Sequence, residues 1–540
     1  MRDIPFEFRS RRSAVLAERG ACAASHPLAA QAGLNILRRG GNAADAAIAS
    51  AAVMNVVAPH STGIGGDCFA LYYDASTGQV SAMNGSGAAP AALSIPYLAS
   101  KGITGALPER SIHTVTVPGA AAGWADLLAR HGTMSLADVL QDAIDYAENG
   151  FHTSPVYGQA WQSAEALLKT KPFTEDYLPQ GRAPRVGQKV RLGGLALTFR
   201  LVAEGGAQAF YEGPIAEAIV NTVQELGGLM TLDDLKAHRT TWERPISSDY
   251  RRVTVVEHPP NGQGLAALQA LNIVEGFDLA QYDHDDPRKH HVMIEAMRLA
   301  FADARQYIAD PARQAVNVTG LLDKGYAAAR RALIRSDRAM QPPSFGTPPA
   351  HSDTIYLCTA DAQGNACSFI NSLYMGFGSG VVAQGTGVFL QNRGANFSLD
   401  PSHPNALVGG KRPYHTIMPG MLLRQGAFYA AFGIMGGFNQ PQAHLQAVNG
   451  LVDDLLDPQS ALDRPRWCLL DGSADSVLAI EEGFSVAMMA ELARLGHRVR
   501  PVSGYERGVF GGGHILLRHP ETGALWGGSD PRHDGLVAAY

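Results

Sequence analysis

Asp353-Thr354-Ile355-Tyr356-Leu357-Cys358-Thr359-Ala360-Asp361 is the stretch on which the reading of this chain turns. Its alternation of β-branched, aromatic and apolar residues predicts a strand, and Gly364-Asn365-Ala366 predicts a turn into a second strand, Cys367 to Leu373. The glycine-dense run Gly376-Phe377-Gly378-Ser379-Gly380 follows. A threonine at the head of a strand is ordinarily just a β-former. Here a second property matters: if the Asp353–Thr354 bond is cut, Thr354 becomes an N-terminus with a nucleophile and a base on one residue. Its free α-amine would have a reference pKa of about 7.7 to 8.0, so it could accept the hydroxyl proton near neutral pH without a histidine. Before cleavage the same hydroxyl could attack the Asp353 carbonyl, making the chain its own activating protease.

Working outward, Gln341 to Ser352 contains Pro342, Pro343, Pro348 and Pro349 and reads as a loop. Such a lead would let the new N-terminus come free. His26 to Arg39 carries Leu28, Ala32, Leu34, Ile36 and Leu37 at helical spacing and closes on Gly40-Gly41. His290 to Ala309 places Ile294, Met297, Phe301, Ala304 and Ile308 likewise and reads as a packing helix. Asp283-His284-Asp285-Asp286 with His290 and His291 lacks metal-protease spacing and reads as a solvated, loop-like surface. There is no G-x-S-x-G elbow, because Ser379 is not central in its glycine run, and no phosphate-binding loop.

Composition sets limits. At 540 residues, 46% hydrophobic and 17% charged, the chain can bury a large core, and length alone suggests about three or four domains. A net charge of −6 gives no reason to expect nucleic acid or an anionic membrane as partner. The five cysteines, Cys22, Cys68, Cys358, Cys367 and Cys468, are odd in number with no CxxC pair and read as buried free thiols. Arg9-Ser10-Arg11-Arg12 is followed by too few apolar residues for the roughly 7 to 15 of an export core, and no run reaches the roughly 18 of a membrane span. A cytoplasmic location is expected.

Around Thr354 the chain resembles the processing site and nucleophile strand of the γ-glutamyltransferase family of N-terminal nucleophile hydrolases. Similar signatures recur in order: Gly40-Gly41-Asn42-Ala43-Ala44-Asp45-Ala46, Thr62-Gly63-Ile64-Gly65-Gly66, Val117-Pro118-Gly119, Tyr211-Glu212-Gly213, Gly227-Gly228-Leu229, Pro259-Pro260 and Gly528-Ser529-Asp530-Pro531-Arg532. The resemblance implies an α+β fold, one interwoven four-layer αββα sandwich, made from fragments 1–353 and 354–540 that remain associated as a heterodimer, with a dimer of these left open. It implies a self-processing amidohydrolase or acyltransferase with no cofactor and no metal.

Carried over residue by residue, the resemblance implies that Thr354 is the nucleophile, that Ser372 stands where a supporting threonine is usual, and that Gly436 and Gly437 supply oxyanion-hole N–H groups. The glutamyl pocket departs from the family. The arginine that usually clamps the α-carboxylate falls on Ser86, and a serine pair falls on His415-Thr416. The asparagine and aspartate that receive the α-amine fall on Tyr374 and Asn396. Losing that carboxylate removes a charge-assisted bond to an ammonium, and losing that arginine removes a bidentate clamp. Arg393 is newly present nearby, and His415 adds another donor. A pocket with an arginine and no acidic partner suits a small amide bearing a carboxylate but no α-ammonium, as in the oxamate amidohydrolase and glutathione hydrolase-like branch. The alternatives are that Arg393 is structural or serves maturation, that Tyr374 only fills volume, that the substrate is a γ-glutamyl amide recognised differently, or that the chain is an unprocessed binding protein.

Overall fold

Strand pairing places the Thr354 segment at the centre of a sheet. In this computed structural model, which describes residues 12–340, 353–473 and 476–540, Asp353–Ala360 pairs with Ala21–Ala24 on one side and Ala366–Tyr374 on the other. The sheet has seven antiparallel strands in the order Leu536–Ala539, Ala21–Ala24, Asp353–Ala360, Ala366–Tyr374, Asp67–Asp74, Gln79–Gly85, Thr241–Glu243. A second seven-stranded antiparallel sheet runs Val15–Ala17, Leu525–Ser529, Gly513–Arg518, Ala427–Ile434, Gly420–Arg424, Val253–Glu257, Ile246–Tyr250. Both sheets interleave strands from before and after residue 353.

Alternation along the strands creates the layers. Ile355, Leu357 and Phe369 face outward onto helices Pro27–Arg38, Ala43–Val57 and Ala120–His131. Tyr356, Cys358 and Ile370 face inward, meeting Val256, Met421, Ala431 and Leu516 of the other sheet. The outer face of that second sheet, with Val255, Leu422, Phe432 and Ile515, is covered by helices Gly264–Val274, Pro287–Tyr307 and Asn439–Val452. This is the αββα arrangement in one interwoven unit rather than three or four separate domains. Helix Ala43–Val57 is buried on every side, which its run of alanine, valine and isoleucine tolerates. Its N-terminus is closed by a capping box between Asn42 and Asp45, the polar residues of the quoted signature.

The expected helices lie close to where periodicity put them. The first spans Pro27–Arg38 with the His26 ring accepting from Leu28 N–H. The second spans Pro287–Tyr307, three residues longer at its start because Asp286 caps it and Pro287 begins it. Burial on this helix corrects the reading of His290 and His291 as part of a solvated, loop-like surface. Both are buried on the helix, His291 Nδ1 lying 2.8 Å from His497 Nε2 and His290 Nε2 lying 2.5 Å from the His284 carbonyl. All five cysteines are buried and free. Among the described residues, no helix is long and apolar enough to cross a membrane. The proline-rich segment 341–352 and residues Arg9, Ser10 and Arg11 lie outside the described residues.

Candidate active site

Thr354 sits where the sheet register slips. Asp353 pairs with Tyr374 but Ile355 pairs with Asn371, so the second strand carries one extra residue opposite the threonine. Alternation with Tyr356 and Cys358 puts Thr354 on the inter-sheet face, where its Oγ1 lies 3.1 Å from Ser372 Oγ. Ser372 also accepts from the Tyr374 N–H (2.8 Å) and from Arg393 Nη2 (3.1 Å). Arg393 Nη1 donates to Thr416 Oγ1 at 2.6 Å. The guanidinium therefore reaches the nucleophile candidate through a single hydroxyl. Thr354, Ser372, Arg393 and Thr416 are all buried.

Arg393 is the unusual member. Its side chain is 0% exposed, its carbon Cζ stands 4.5 Å over the Tyr374 ring, and its Nε–H has no acceptor among the described residues. No described carboxylate lies within ion-pair distance of it. Burial pushes its pKa down to about 10, against the pull of Asp67 and Tyr374. Tyr374 holds its place at a cost. Its φ is +81°, an uncommon conformation for a non-glycine residue, worth about 1–3 kcal/mol of strain. That conformation ends the strand and places the ring against the guanidinium.

Gly436 and Gly437 lie at the N-terminal approach to helix Asn439–Val452, with φ of +116° and +57°. Their carbonyls accept from Asn439 and Gln440, while their own N–H groups find no acceptor among the described residues. A Cβ on Gly436 would stand 3.2 Å from Asn439 Cβ. Two N–H groups free of the fold, beside a helix N-terminus, form an anion-stabilising corner. Gly436 and Tyr374 line one cleft of about 660 Å³, shared with His60, Tyr157, Phe377 and Phe438. Burial holds the His60 imidazole neutral, with its pKa pushed down to about 3. A second cleft of about 640 Å³, between Arg251, Arg424, Leu451 and His519, contains none of the candidate residues.

The remaining candidates divide. Thr416 joins the cluster directly. Asn396 is half-buried on the turn that begins at Arg393, and its Nδ2 has no partner among the described residues. Ser86 is held away from it: its hydroxyl donates to Asn84 Oδ1 at 2.6 Å and accepts from Asn261 Nδ2 at 3.3 Å. His415 uses both ring nitrogens within the protein. Ile417 N–H donates to Nδ1 at 3.3 Å, so Nε2 carries the proton it gives to Asp67 Oδ2 at 3.0 Å. Burial, reinforced by Arg393, keeps this imidazole neutral. Asp67 and Gln391 were absent from the sequence-derived set. The signal that could have found Asp67 is an acid directly after Gly65-Gly66 at the head of an apolar strand.

Two facing sheets between helical layers form the αββα sandwich of the N-terminal nucleophile hydrolases, and here a buried threonine heads a central strand and a glycine pair stands at a helix start. Residues 29–540 match the family described as Gamma-glutamyltranspeptidase, and the chain belongs to that family as an enzyme of its amidohydrolase and acyltransferase kind. It is 40% identical to the glutathione hydrolase-like YwrD proenzyme of Bacillus subtilis strain 168, over 95% of this chain and 97% of the relative. It is 36% identical to the oxamate amidohydrolase proenzyme of Klebsiella pneumoniae, over 96% and 98%. The crystal structure of cephalosporin acylase from Bacillus halodurans superposes with a TM-score of 0.93 at 46% identity, covering 100% of this chain and 99% of that one.

Proposed function

We propose that the chain is a self-processing amidohydrolase that uses Thr354 as an N-terminal nucleophile on a small amide bearing a carboxylate, of the oxamate type. The observation that carries this reading is the buried Arg393 guanidinium, without a carboxylate partner and one hydroxyl away from Thr354. A buried cation is costly unless paired, and a substrate carboxylate would supply the missing charge. The kinship with proenzymes supports cleavage of the 353–354 bond into fragments 1–353 and 354–540, and the interleaved strands of both sheets would keep these together as a heterodimer.

In this mechanism the freed α-amine takes the Thr354 hydroxyl proton as Oγ1 attacks the amide carbonyl. The N–H groups of Gly436 and Gly437 hold the oxyanion, and the leaving amine departs with the proton. Water then hydrolyses the acyl-threonine ester. Ser372 orients the nucleophile, and Arg393 with Thr416 holds the carboxylate, with Tyr374 and Asn396 closing the pocket. Ser86 and His415 shape it through their networks.

A denaturing gel and N-terminal sequencing check the first half: two bands, one beginning at Thr354, are expected, and a single full-length band after prolonged incubation would defeat it. Ammonia release from oxamate, measured beside dye release from a γ-glutamyl anilide, checks the second half. Turnover of the anilide alone would favour a γ-glutamyl hydrolase or transferase, the reading suited to glutathione hydrolase-like kinship.

A further inference from the structure

We infer that Asp67 is a positioning residue for the Arg393 clamp, fixing where that guanidinium meets a substrate carboxylate. The inference rests on the proposed carboxylate-binding role of Arg393. Asp67 heads strand Asp67–Asp74 and pairs in register with Ser372, the hydroxyl that joins Thr354 to Arg393. Its carboxylate is fully buried and accepts from three segments at once: Gly87 N–H at 3.0 Å and Gln391 Nε2 at 2.8 Å on Oδ1, and His415 Nε2 at 3.0 Å on Oδ2. Each donor adjoins part of the pocket. Gly87 follows Ser86, Gln391 precedes Arg393 by two residues, and His415 precedes Thr416, which itself accepts from Arg393.

One carboxylate thus ties together the segments that carry the arginine and its hydroxyl partner. Asp67 gives its oxygens to Gln391, His415 and Gly87 and forms no ion pair with Arg393 among the described residues, so the guanidinium, with Nη1 on Thr416 and Nη2 on Ser372, keeps its Nε–H and its remaining N–H bonds for a ligand. The two charges still sense each other. Burial pushes the Asp67 carboxyl up to about 7, and Arg393 is the strongest influence drawing it back.

The side-chain amide of Asp67→Asn can accept on one atom only, so its NH₂ must face one of the three donors. The clamp then loses its seating. Coulomb attraction alone predicts the opposite sign, because removing a nearby negative charge would strengthen a carboxylate's hold on Arg393. The direction of the change therefore decides between positioning and simple electrostatics.

The test uses the self-processed enzyme and two amides, anionic oxamate and neutral oxamide, both read by initial ammonia release. A γ-glutamyl anilide and its α-methyl ester serve as a second pair if only γ-glutamyl amides are turned over. For Asp67→Asn, KM for the anionic amide should rise at least tenfold relative to the neutral one, with kcat for the neutral amide nearly unchanged. Gln391→Met, which keeps volume but loses the donor to Oδ1, should move the same ratio severalfold and guards against a folding failure of the first variant. A fall in KM for the anionic amide, or equal losses on both amides, would overturn the inference. Arg393→Met is run alongside. If it leaves the anionic KM unchanged, the clamp itself is refuted and Asp67's role falls with it; if it raises KM while neither Asp67→Asn nor Gln391→Met does, only the positioning role is refuted.

Discussion

Two buried arginines in this molecule have opposite company. Arg532, in the C-terminal signature Gly528–Arg532, donates from Nε to Glu481 Oε1 at 2.7 Å and from Nη1 to Asp530 Oδ1 at 3.0 Å. Asp530 also accepts from Arg466 Nη2 at 2.6 Å, and Arg507 Nε reaches Glu481 at 2.6 Å. Burial opposes the charge of Arg532, but its two carboxylates outweigh that and hold its pKa above the ordinary range. Arg393 is equally buried yet among the described residues it meets only two hydroxyls and an aromatic ring, and its pKa falls. Saturated charge of the first kind ties the C-terminal signature to strand Leu478–Glu481 and to the end of helix Pro458–Asp463. Unsaturated charge of the second kind is costly for the fold and useful for a ligand.

That contrast can be broken most forcefully by removing each guanidinium. Arg532→Met leaves Glu481 and Asp530 buried with fewer partners, and should lower stability by about 3–5 kcal/mol in denaturant titration. A loss below about 1 kcal/mol would erase the distinction. Arg393→Met should shift the unfolding midpoint little or raise it, since no described carboxylate is stranded, while kcat/KM for a carboxylate-bearing amide falls on the order of 100-fold, about 3 kcal/mol.

The acids beside these arginines should respond to pH with opposite signs. Burial would raise Asp530, but Arg466 and Arg532 prevail and hold its carboxyl well below the usual range. Its contribution is therefore present above the unfolded value of about 3.9 and lost as pH falls below it. Asp67, raised to about 7, binds its proton more tightly folded than unfolded, so its contribution declines as pH climbs from about 4 to 7. Stability–pH curves for Asp530→Asn and Asp67→Asn should flatten in those two separate windows; flattening in the same window would contradict the assignment. The smallest effect belongs to Thr416→Val, which removes one acceptor from Arg393 Nη1 and should raise KM severalfold, about 1 kcal/mol, with little change in kcat.

Much of this was legible before any fold was drawn. Alternation along Ile355 to Ala360 predicted a strand, whose two faces the structure assigns to helices and to a second sheet, and the helices at Pro27–Arg38 and Pro287–Tyr307 lie close to where spacing put them. Where sequence reading failed, a local pattern was overruled by a distant surface. His290 and His291 look polar and loop-like beside Asp283–Asp286, but the helix rotates them toward His497 and the His284 carbonyl. His415 looked like a spare donor and is instead spent on Asp67. No spacing rule links residues 67, 391 and 415.

The sequence by itself determined the strand headed by Thr354 and the helices near residues 27–38 and 287–307, which depend on periodicity, caps and turn chemistry acting within a few positions. The layered architecture came from the family resemblance of its ordered motifs, which also implied the roles of the glycine pair and of the altered pocket positions. Only the tertiary structure decided that Arg393 lies under Tyr374 against Ser372 and Thr416, and that Asp67 fastens the segments around it. Those contacts depend on how segments near residues 67, 372, 391–393 and 415–416 are brought together across strands and loops, which no local pattern encodes.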